Sequence, residues 1–312
     1  MQLAAGKPVS HLFTATRKGH EETEYVRRNV FAIDFDEKAV RVARTLNLIA
    51  GDGHTNVMHL NTLDFGRWSN VTKEEDWIDT YNEGFRRMRK LAESEEFKYL
   101  NFDVLMANPP FAGEIKEGQM LSLYDLGMKK GKTQKSVSRD ILFIERNLDF
   151  LAPGGRMAIV LPQGRFNNST DRHIRDYIAK RARILAVVGL HGNTFKPHTG
   201  TKTSVLFVQK WDAKLCPRKE NYNIFFATQR LSGKDTSGDK LYWTRDLKST
   251  TTDPKQALCD KYGHPVVWHD LLNTVNYNWN PKTRKNEVEQ LTPDGIAEAF
   301  AEFAAREKLS FF

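Results

Sequence analysis

The run from Phe102 to Phe111 constrains the fold of this chain more than any other stretch. It reads Phe-Asp-Val-Leu-Met-Ala-Asn-Pro-Pro-Phe, an apolar run that predicts a buried strand and stops at two consecutive prolines. Proline lacks an N–H and fixes φ, and a residue before proline is held extended. The strand therefore cannot continue past Asn108. We expect a stiff loop at the carboxyl end of a sheet, where open α/β folds place their ligands.

This loop offers two hydrogen-bond acceptors beside an aromatic ring, and its candidate catalytic residues are Asn108, Pro109, Pro110 and Phe111. The acceptors are the Asn108 side-chain oxygen and the Pro109 carbonyl. An exocyclic amine on adenine is a poor nucleophile because its lone pair is conjugated into the ring. Accepting both amine hydrogens would localise the lone pair and let it attack a methyl sulfonium without a strong base. The alternative is a strand-ending turn with no chemistry.

Short apolar runs alternate with stretches of helical periodicity along most of the chain, and strands follow one another after residue 184. This order predicts an α/β fold with a doubly wound, mostly parallel sheet and an antiparallel hairpin at one edge. The predicted strands are 30–33, 57–60, 102–107, 157–161, 184–190, 203–209 and 223–227. The predicted helices are 39–50, one or two between 72 and 98, 140–151 (closed by Pro153-Gly154-Gly155), and 170–180.

Acidic residues follow two of the predicted strands. Asp34 ends the strand at 30–33, where nucleotide-binding α/β sites place an acidic side chain that accepts hydrogen bonds from ribose hydroxyls. Asp36 comes just before a predicted helix, and a carboxylate at a helix N-terminus is favoured by the helix dipole. Asp64 follows the strand at 57–60, where Asp is also common as a simple turn residue.

Composition limits the compartment and favours one class of partner. The 312-residue chain has 47 Lys and Arg against 39 Asp and Glu, a net charge of +8, which favours a polyanionic partner. Cys216 and Cys259 have no metal-ligand spacing, so we expect free thiols, a reducing compartment and no metal site. Neither a signal peptide nor a membrane span is recognisable. These features predict a cytoplasmic protein.

Two further segments are candidates for substrate binding. Residues 112–138 are rich in glycine and lysine, and a loop of this composition could contact phosphates through Lys129, Lys130, Lys132 and Lys135 or be an ordinary mobile loop. Phe195 follows a predicted strand and could form the second wall of an aromatic sandwich around a flipped base, or be a core aromatic. The tail from 292 to 308 has one apolar helical stripe, which suits a partner-binding helix or packing on its own domain.

The residues Asn108–Phe111 after an apolar strand resemble the catalytic motif of amino-methyltransferases that act on the N6 of adenine in DNA. The run from Phe143 to Lys210, which includes Leu-Ala-Pro-Gly-Gly-Arg-Met-Ala-Ile-Val-Leu-Pro, resembles the modification (M) subunit of type I restriction-modification systems. So do residues 27–36 and 51–56. The resemblance covers about residues 25 to 211.

The resemblance implies the sheet of S-adenosylmethionine-dependent methyltransferases and that cofactor. It assigns the ribose to Asp34 and the amino group of the cofactor's adenine to Asp64. It implies double-stranded DNA as substrate, a separate specificity subunit that chooses the DNA sequence, and a restriction subunit that can join them. Alternatives from the residues are methylation of another planar amine or amide in RNA or protein, and a non-catalytic DNA- or subunit-binding remnant.

The chain departs from the family where the methionine part of the cofactor is held. The family places Asp-Pro-Ala-Cys-Gly-Ser-Gly-Gly after its first strand, whereas the glycines before Asp34 are Gly6 and Gly19. We expect residues 1–24 to be a remnant of the region after this motif, 25–228 an incomplete catalytic domain, and 229–312 a surface excursion with a helical tail. A truncated gene product or a second polypeptide would explain this pattern, and the chain alone is expected to be inactive.

Overall fold

The computed structural model describes residues 20–49 and 56–309 of the chain. These residues form two compact units. The first unit holds the described residues up to Leu105 together with Ala112–Gly155, and the second holds Met106–Phe111 together with residues 156–309. Residues 1–19 of the predicted N-terminal remnant and residues 51–55 of the quoted motif lie outside the described residues. The predicted boundaries at 24 and 228 stay a prediction.

The first unit consists of helices with short strands between them. Its described helices are α1 (His20–Asn29), α2 (Glu37–Ile49), α3 (Trp68–Val71), α4 (Glu75–Arg89), α5 (Gly118–Leu121) and α6 (Arg139–Phe150). Its described strands are β1 (Ala32–Asp34), β2 (Val57–His59), β3 (Phe102–Ala107), β4 (Glu114–Ile115), β5 (Met128–Lys129), β6 (Lys132–Thr133) and β7 (Val137–Ser138). Strand β3 ends in the second unit.

Strands β1 and β2 are parallel, with Ala32 opposite Val57 and Asp34 opposite His59. Parallel neighbours require a crossover connection, and α2 lies in that connection. Val40 of α2 is fully buried. Its burial orients the helix, so the sequence from 32 to 59 forms the strand–helix–strand unit that the apolar pattern predicts.

One face of α4 supplies an aromatic layer to the core of the first unit. The buried residues repeat at helical spacing and are Trp77, Tyr81, Phe85 and Met88. The Trp77 and Phe85 rings meet edge to face with centroids 5.2 Å apart, and Trp77 Nε1 donates a hydrogen bond to the His59 carbonyl at 3.0 Å. The helix is thereby attached directly to β2.

The guanidinium of Arg146, on α6, is fully buried in the first unit. It donates hydrogen bonds to three backbone carbonyls: Nε to Thr62 at 2.9 Å, Nη2 to Phe97 at 2.9 Å and Nη1 to Lys98 at 2.5 Å. Buried polar groups require partners, and the planar fork of arginine satisfies several carbonyls at once. One side chain therefore ties α6 to the turn at 62 and to the segment at 97–98.

Aromatic rings surround the same guanidinium. Its carbon lies 4.0 Å from the Phe150 ring centroid, 4.2 Å from that of Phe65 and 5.3 Å from that of Trp68. Cation–π attraction offsets part of the loss of hydration. Burial nevertheless lowers the pKa of Arg146 to about 10, which leaves the group charged at neutral pH. The interior of this unit is thus built around a cation.

The second unit contains the long strands. Its described strands are β8 (Leu151–Pro162), which begins in the first unit, β9 (Ala182–Gly189), β10 (Thr203–Lys210), β11 (Phe225–Thr228), β12 (Tyr242–Trp243), β13 (Thr250–Thr251), β14 (Val275–Asn280) and β15 (Lys285–Gln290). Its described helices are α7 (Gly164–Asn167), α8 (Arg172–Arg181) and α9 (Ile296–Arg306).

The main sheet has the strand order β11-β9-β10-β8-β3. Strand β10 is antiparallel to both β8 and β9, and β11 is parallel to β9. The predicted α/β class is confirmed. Strands β9 and β10 form the expected antiparallel pair, but it does not lie at the predicted edge, because β11 pairs in parallel outside β9.

Helix α9 packs on its own unit through its apolar stripe. The Phe300 ring stacks at 6.4 Å from the Phe207 ring, and the Phe303 ring lies 5.5 Å from the Phe225 ring. Phe303 is buried. Of the two interpretations of this tail, the structure supports packing on β10 and β11.

The junction of α6 and β8 differs from the sequence prediction. Pro153-Gly154-Gly155 lies inside β8 and does not form a turn that closes the helix. Gly154 has φ of +75°, and a Cβ on Gly155 would lie 2.8 Å from the Phe102 carbonyl oxygen. The glycines therefore allow β8 to bend and to approach β3. The neighbouring residues in the sequence do not indicate this close approach.

The predicted surface excursion after residue 228 folds back on itself in the second unit. Antiparallel bridges join Ser232 to His269, Tyr242 to Val267, and Cys259 to Pro265. Gln229 N donates to the Gly189 carbonyl at 2.8 Å, so the segment starts on the edge of the main sheet. No helix in the described ranges combines the length and hydrophobicity needed to cross a bilayer.

We predict that Arg146→Met lowers the free energy of unfolding of the first unit by about 3–5 kcal/mol, because it leaves buried carbonyls without a donor. Urea denaturation measures the change. The control is Arg89→Met in the same unit, where the guanidinium is 56% exposed and paired with Glu95, and we expect little change there. Equal stabilities of the two variants would contradict a structural role for the buried cation.

Candidate active site

The loop after β3 ends the strand where the prolines require it. Strand β3 stops at Ala107, and Asn108, Pro109 and Pro110 adopt no helix or strand. Pro109 is buried and fixes the loop, whereas Asn108 is exposed. Within the described residues the Asn108 side chain makes no hydrogen bond, so its oxygen is available to accept one from a ligand.

Phe111, at the end of this loop, contacts Phe195 in the second unit. Their centroids are 5.0 Å apart and their planes meet at 76°, an edge-to-face arrangement. Phe195 lies in a run of turns between β9 and β10, and both rings are partly buried. A flat base stacked between two rings needs them about 7 Å apart, twice the 3.4 Å rise of stacked bases. The pair is therefore closed in this structure.

The structure assigns different local roles to Asp34 and Asp36 in the first unit. Asp36 Oδ1 accepts from Lys38 N at 2.8 Å, which is the hydrogen bond of a helix N-cap for α2. Asp34 Oδ1 accepts from Asp36 N at 2.8 Å. The second oxygen of Asp34 makes no hydrogen bond within the described residues, and the side chain is exposed at the end of β1. Asp34 can therefore accept a hydrogen bond from a ligand hydroxyl.

Asp64 is more enclosed than Asp34. Its side chain is 14% exposed, and its Oδ2 lies 3.3 Å from Arg67 Nε. Burial raises the pKa of Asp64, Arg67 opposes that change, and Glu117 adds to it. The residue also occupies a turn, in which Asp64 N donates to the Asn61 carbonyl at 3.1 Å. Both interpretations of Asp64, turn residue and cofactor ligand, remain compatible with this geometry.

Two buried side chains fix the turn that carries Asp64. Tyr124 Oη donates to the Leu63 carbonyl at 2.6 Å, and Arg146 Nε donates to the Thr62 carbonyl. The two residues immediately before Asp64 are thus held by side chains of the core. Sequence reasoning missed both side chains, because Tyr124 is 61 residues and Arg146 is 84 residues from its partner.

The lysine-rich segment is a hairpin. Strands β5 and β6 pair Lys129 with Lys132, and Lys130 and Gly131 between them have φ of 51° and 72°. Two consecutive residues with positive φ match the tight turns of two-residue hairpins. All four candidate lysines, including Lys135, are exposed. The segment is thus a defined strand pair with its ammonium groups in solvent, and its contact with phosphates stays a prediction.

A buried carboxylate supports the base of this hairpin. Glu145 is 1% exposed and accepts hydrogen bonds from Asp125 N at 2.7 Å and Leu126 N at 2.8 Å. Burial raises the pKa of Glu145, and the two backbone N–H groups oppose that rise. The turn that leads into the hairpin is therefore attached to α6 by hydrogen bonds from its backbone.

The predicted residues fall into two sets. The second unit brings together Asn108–Phe111 and Phe195, whereas the first unit contains Asp34, Asp64 and the lysine hairpin. The structure adds Gln229 and Lys234, which hold the segment around Phe195 by hydrogen bonds. Their only sequence signal is a position just after the last predicted strand.

Comparison with known proteins gives a family and several relatives. A family model described as N-6 DNA Methylase matches residues 10–289. The methylase subunit of the type I restriction enzyme EcoEI from Escherichia coli is 31% identical over 111 residues, which cover 35% of this chain and 21% of that protein. The chain therefore matches about a fifth of that relative's length.

The solved structures to which this chain is similar have lower sequence identity to it. A modification subunit of a putative type I restriction enzyme from Vibrio vulnificus is 15% identical, with 80% of this chain and 49% of that chain covered and a TM-score of 0.44. The type I restriction-modification system methyltransferase subunit from Streptococcus thermophilus is 22% identical, with 62% and 38% covered and a TM-score of 0.41.

The two aspartates after β1 give a direct prediction. Asp36→Ala removes the N-cap of α2 and should lower the free energy of unfolding by about 1 kcal/mol without changing cofactor affinity. Asp34→Asn keeps an acceptor for Asp36 N but loses the carboxylate charge, so it should weaken S-adenosylmethionine binding about tenfold at unchanged stability. Denaturation and calorimetry, in a preparation that binds the cofactor, separate the two effects. The reverse pattern would exchange the assigned roles.

Proposed function

This chain belongs to the N-6 DNA methylase family, and we propose that it transfers a methyl group from S-adenosylmethionine to the N6 of adenine in DNA. We propose further that it acts as the M subunit of a type I restriction-modification system or as part of that subunit. The observation that carries this proposal is the Asn108 side chain. It is an exposed acceptor, without a partner in the described residues, on a proline-fixed loop that ends at Phe111.

The loop suits an adenine amino group because it offers acceptors and no base. The Asn108 side-chain oxygen and the Pro109 carbonyl would accept the two amine hydrogens, which localises the nitrogen lone pair for attack. As the N6–carbon bond formed, the methyl–sulfur bond would break and leave its electron pair on the departing neutral thioether. Positive charge would develop on the nitrogen, and both acceptors would stabilise it more strongly than in the ground state. The surplus proton then leaves to water.

Phe111 and Phe195 are proposed to hold the base that undergoes this reaction. A base inside a duplex cannot reach a loop of this kind, so the adenine must be extruded, and extruded bases are held by stacking on aromatic side chains. Both rings are partly buried and in mutual contact. Separation of the two rings would create a slot with two aromatic walls.

The carboxylates of the first unit fit the cofactor. S-Adenosylmethionine supplies an electrophilic methyl group when it is bound. The free oxygen of Asp34 suits a ribose hydroxyl, and Asp64, kept close to Arg67, suits the amino group of the cofactor's adenine. We propose these two roles from the exposure and partners of each carboxylate and from membership in the family.

The proposed substrate is duplex DNA, contacted in part by the lysine hairpin. Lys129, Lys130, Lys132 and Lys135 are exposed, and the net charge of the chain is +8. The EcoEI relative is a subunit of a type I enzyme. By analogy we propose a specificity subunit, which chooses the DNA sequence, and a restriction subunit as partners.

We predict that Asn108→Ala lowers the single-turnover methylation rate about 100- to 1,000-fold while the affinity for S-adenosylmethionine changes little. The acceptor matters mainly as charge develops on nitrogen, which explains the selective effect on rate. Asn101→Ala, one residue before β3, is the matched control and should retain near wild-type rates. A wild-type rate in the Asn108 variant would refute the proposed chemistry.

The lysine hairpin gives a second prediction. Replacing Lys129, Lys130, Lys132 and Lys135 with Gln should weaken DNA binding equally for all sequences and flatten the slope of log affinity against log salt by up to about 3.6, since each phosphate contact contributes about 0.9. The control replaces four exposed lysines of the second unit, Lys214, Lys219, Lys248 and Lys255, and removes the same charge. Equal slopes for the two variants would show that the change in salt dependence comes from net charge alone, and would argue against phosphate contacts at the hairpin.

A further inference from the structure

The segment after β11 holds the turns that carry Phe195. Gln229 is 3% exposed, and its Oε1 accepts from His191 N at 3.1 Å and from Thr194 Oγ1 at 3.3 Å. Its Nε2 donates to the Leu231 carbonyl at 2.8 Å. Both ends of this buried amide are therefore satisfied, and its oxygen is used entirely by the residues that precede Phe195.

Lys234 binds the residue that follows Phe195 in the sequence. Its Nζ donates to the Lys196 carbonyl at 2.8 Å, and its own carbonyl accepts from Asn193 Nδ2 at 3.3 Å. Contacts from one segment thus reach positions 191, 193 and 194 before Phe195 and position 196 after it. A long connection between strands is ordinarily the mobile part of a hairpin. Here it is anchored at residues before and after Phe195.

A tight turn in the same segment packs against the residue after Lys196. Asp235 Oδ1 accepts from the backbone N–H groups of Ser237, Gly238 and Asp239 at 2.8–2.9 Å. Gly238 has φ of +103°, and a Cβ there would lie 2.7 Å from Pro197 Cδ. The turn therefore presses its backbone onto the Pro197 ring.

We propose that Gln229 and Lys234 are positioning residues that set the place of the Phe195 ring relative to Phe111, and so determine how well an extruded base is captured. This inference rests on the proposed function. The Gln229 amide is too deeply buried to touch DNA, so any effect it has on base capture must pass through the 191–196 turns. Lys234 donates a hydrogen bond to the Lys196 carbonyl and so acts on the residue that follows Phe195.

The test compares the affinity of the methyl-transferring enzyme for two duplexes that carry its mapped methylation site. One duplex has the target adenine, and the other has an abasic position there. The ratio of the two affinities isolates capture of the base, because backbone contacts are the same in both. Phe195→Ala should lower the adenine-to-abasic ratio about tenfold. Gln229→Met and Lys234→Met should each lower it about threefold, with unchanged affinity for S-adenosylmethionine.

Two controls separate positioning from general damage. Thr236→Ala changes an exposed side chain of the same segment and should leave the ratio unchanged. The double variant Phe195→Ala with Gln229→Met should have the ratio of Phe195→Ala alone, because the amide acts through the ring. Lys234→Met provides an independent test in case the buried Gln229 substitution reduces folding.

The outcomes also distinguish this inference from the proposed function. If Phe195→Ala lowers the ratio while Gln229→Met and Lys234→Met do not, the positioning role is wrong and base capture stands. Effects of Phe195 and Gln229 that multiply in the double variant also contradict it. If Phe195→Ala leaves the ratio unchanged, capture by this ring is wrong, and the positioning role falls with it.

Discussion

The first unit depends on a guanidinium buried among aromatic rings. Arg146 donates hydrogen bonds to the carbonyls of residues 62, 97 and 98, so removal of the cation would leave the turn at 62 and the segment at 97–98 without a common partner. Its neighbour Glu145 accepts two backbone N–H groups at the base of the lysine hairpin. Two adjacent charged residues of α6 thus hold the turn that carries Asp64 and the hairpin that carries the lysines. In this unit, buried polar contacts from α6 as well as apolar packing hold the segments that carry the candidate ligand-binding residues.

Local chemistry made part of this structure predictable. The end of β3 at Ala107 follows from two prolines, the N-cap of α2 follows from Asp36, and the stripe of α4 follows from helical spacing. Each depends on residues a few positions apart. The family resemblance rested on the same local motifs, and the match to residues 10–289 confirmed it.

The missed features depend on partners that are distant in sequence. Arg146 lies in a helix whose charged residues resemble a solvent-facing surface, and its burial is decided by carbonyls up to 84 residues away. The segment after β11 has the composition of a surface excursion, yet Gln229 binds residues 38 and 35 positions upstream. Gly155 inside β8 is required by the approach of Phe102, not by its neighbours. The roles of Asp34, Asp64, Phe195 and the lysines stay predictions, because their proof requires ligands.

The edge-to-face contact of Phe111 and Phe195 has a consequence for selectivity. The two rings are in direct contact, so no water lies between them. A ligand can enter between the rings only by replacing that contact. Only a flat, polarisable group can lie between the rings and, by stacking on both of them, replace the ring–ring interaction that is lost when they separate. An aliphatic group or a hydrated ion would separate the rings without replacing the lost interaction by stacking. Under the proposed function, the closed pair therefore favours an aromatic base over aliphatic groups and hydrated ions as the group that enters beside Asn108.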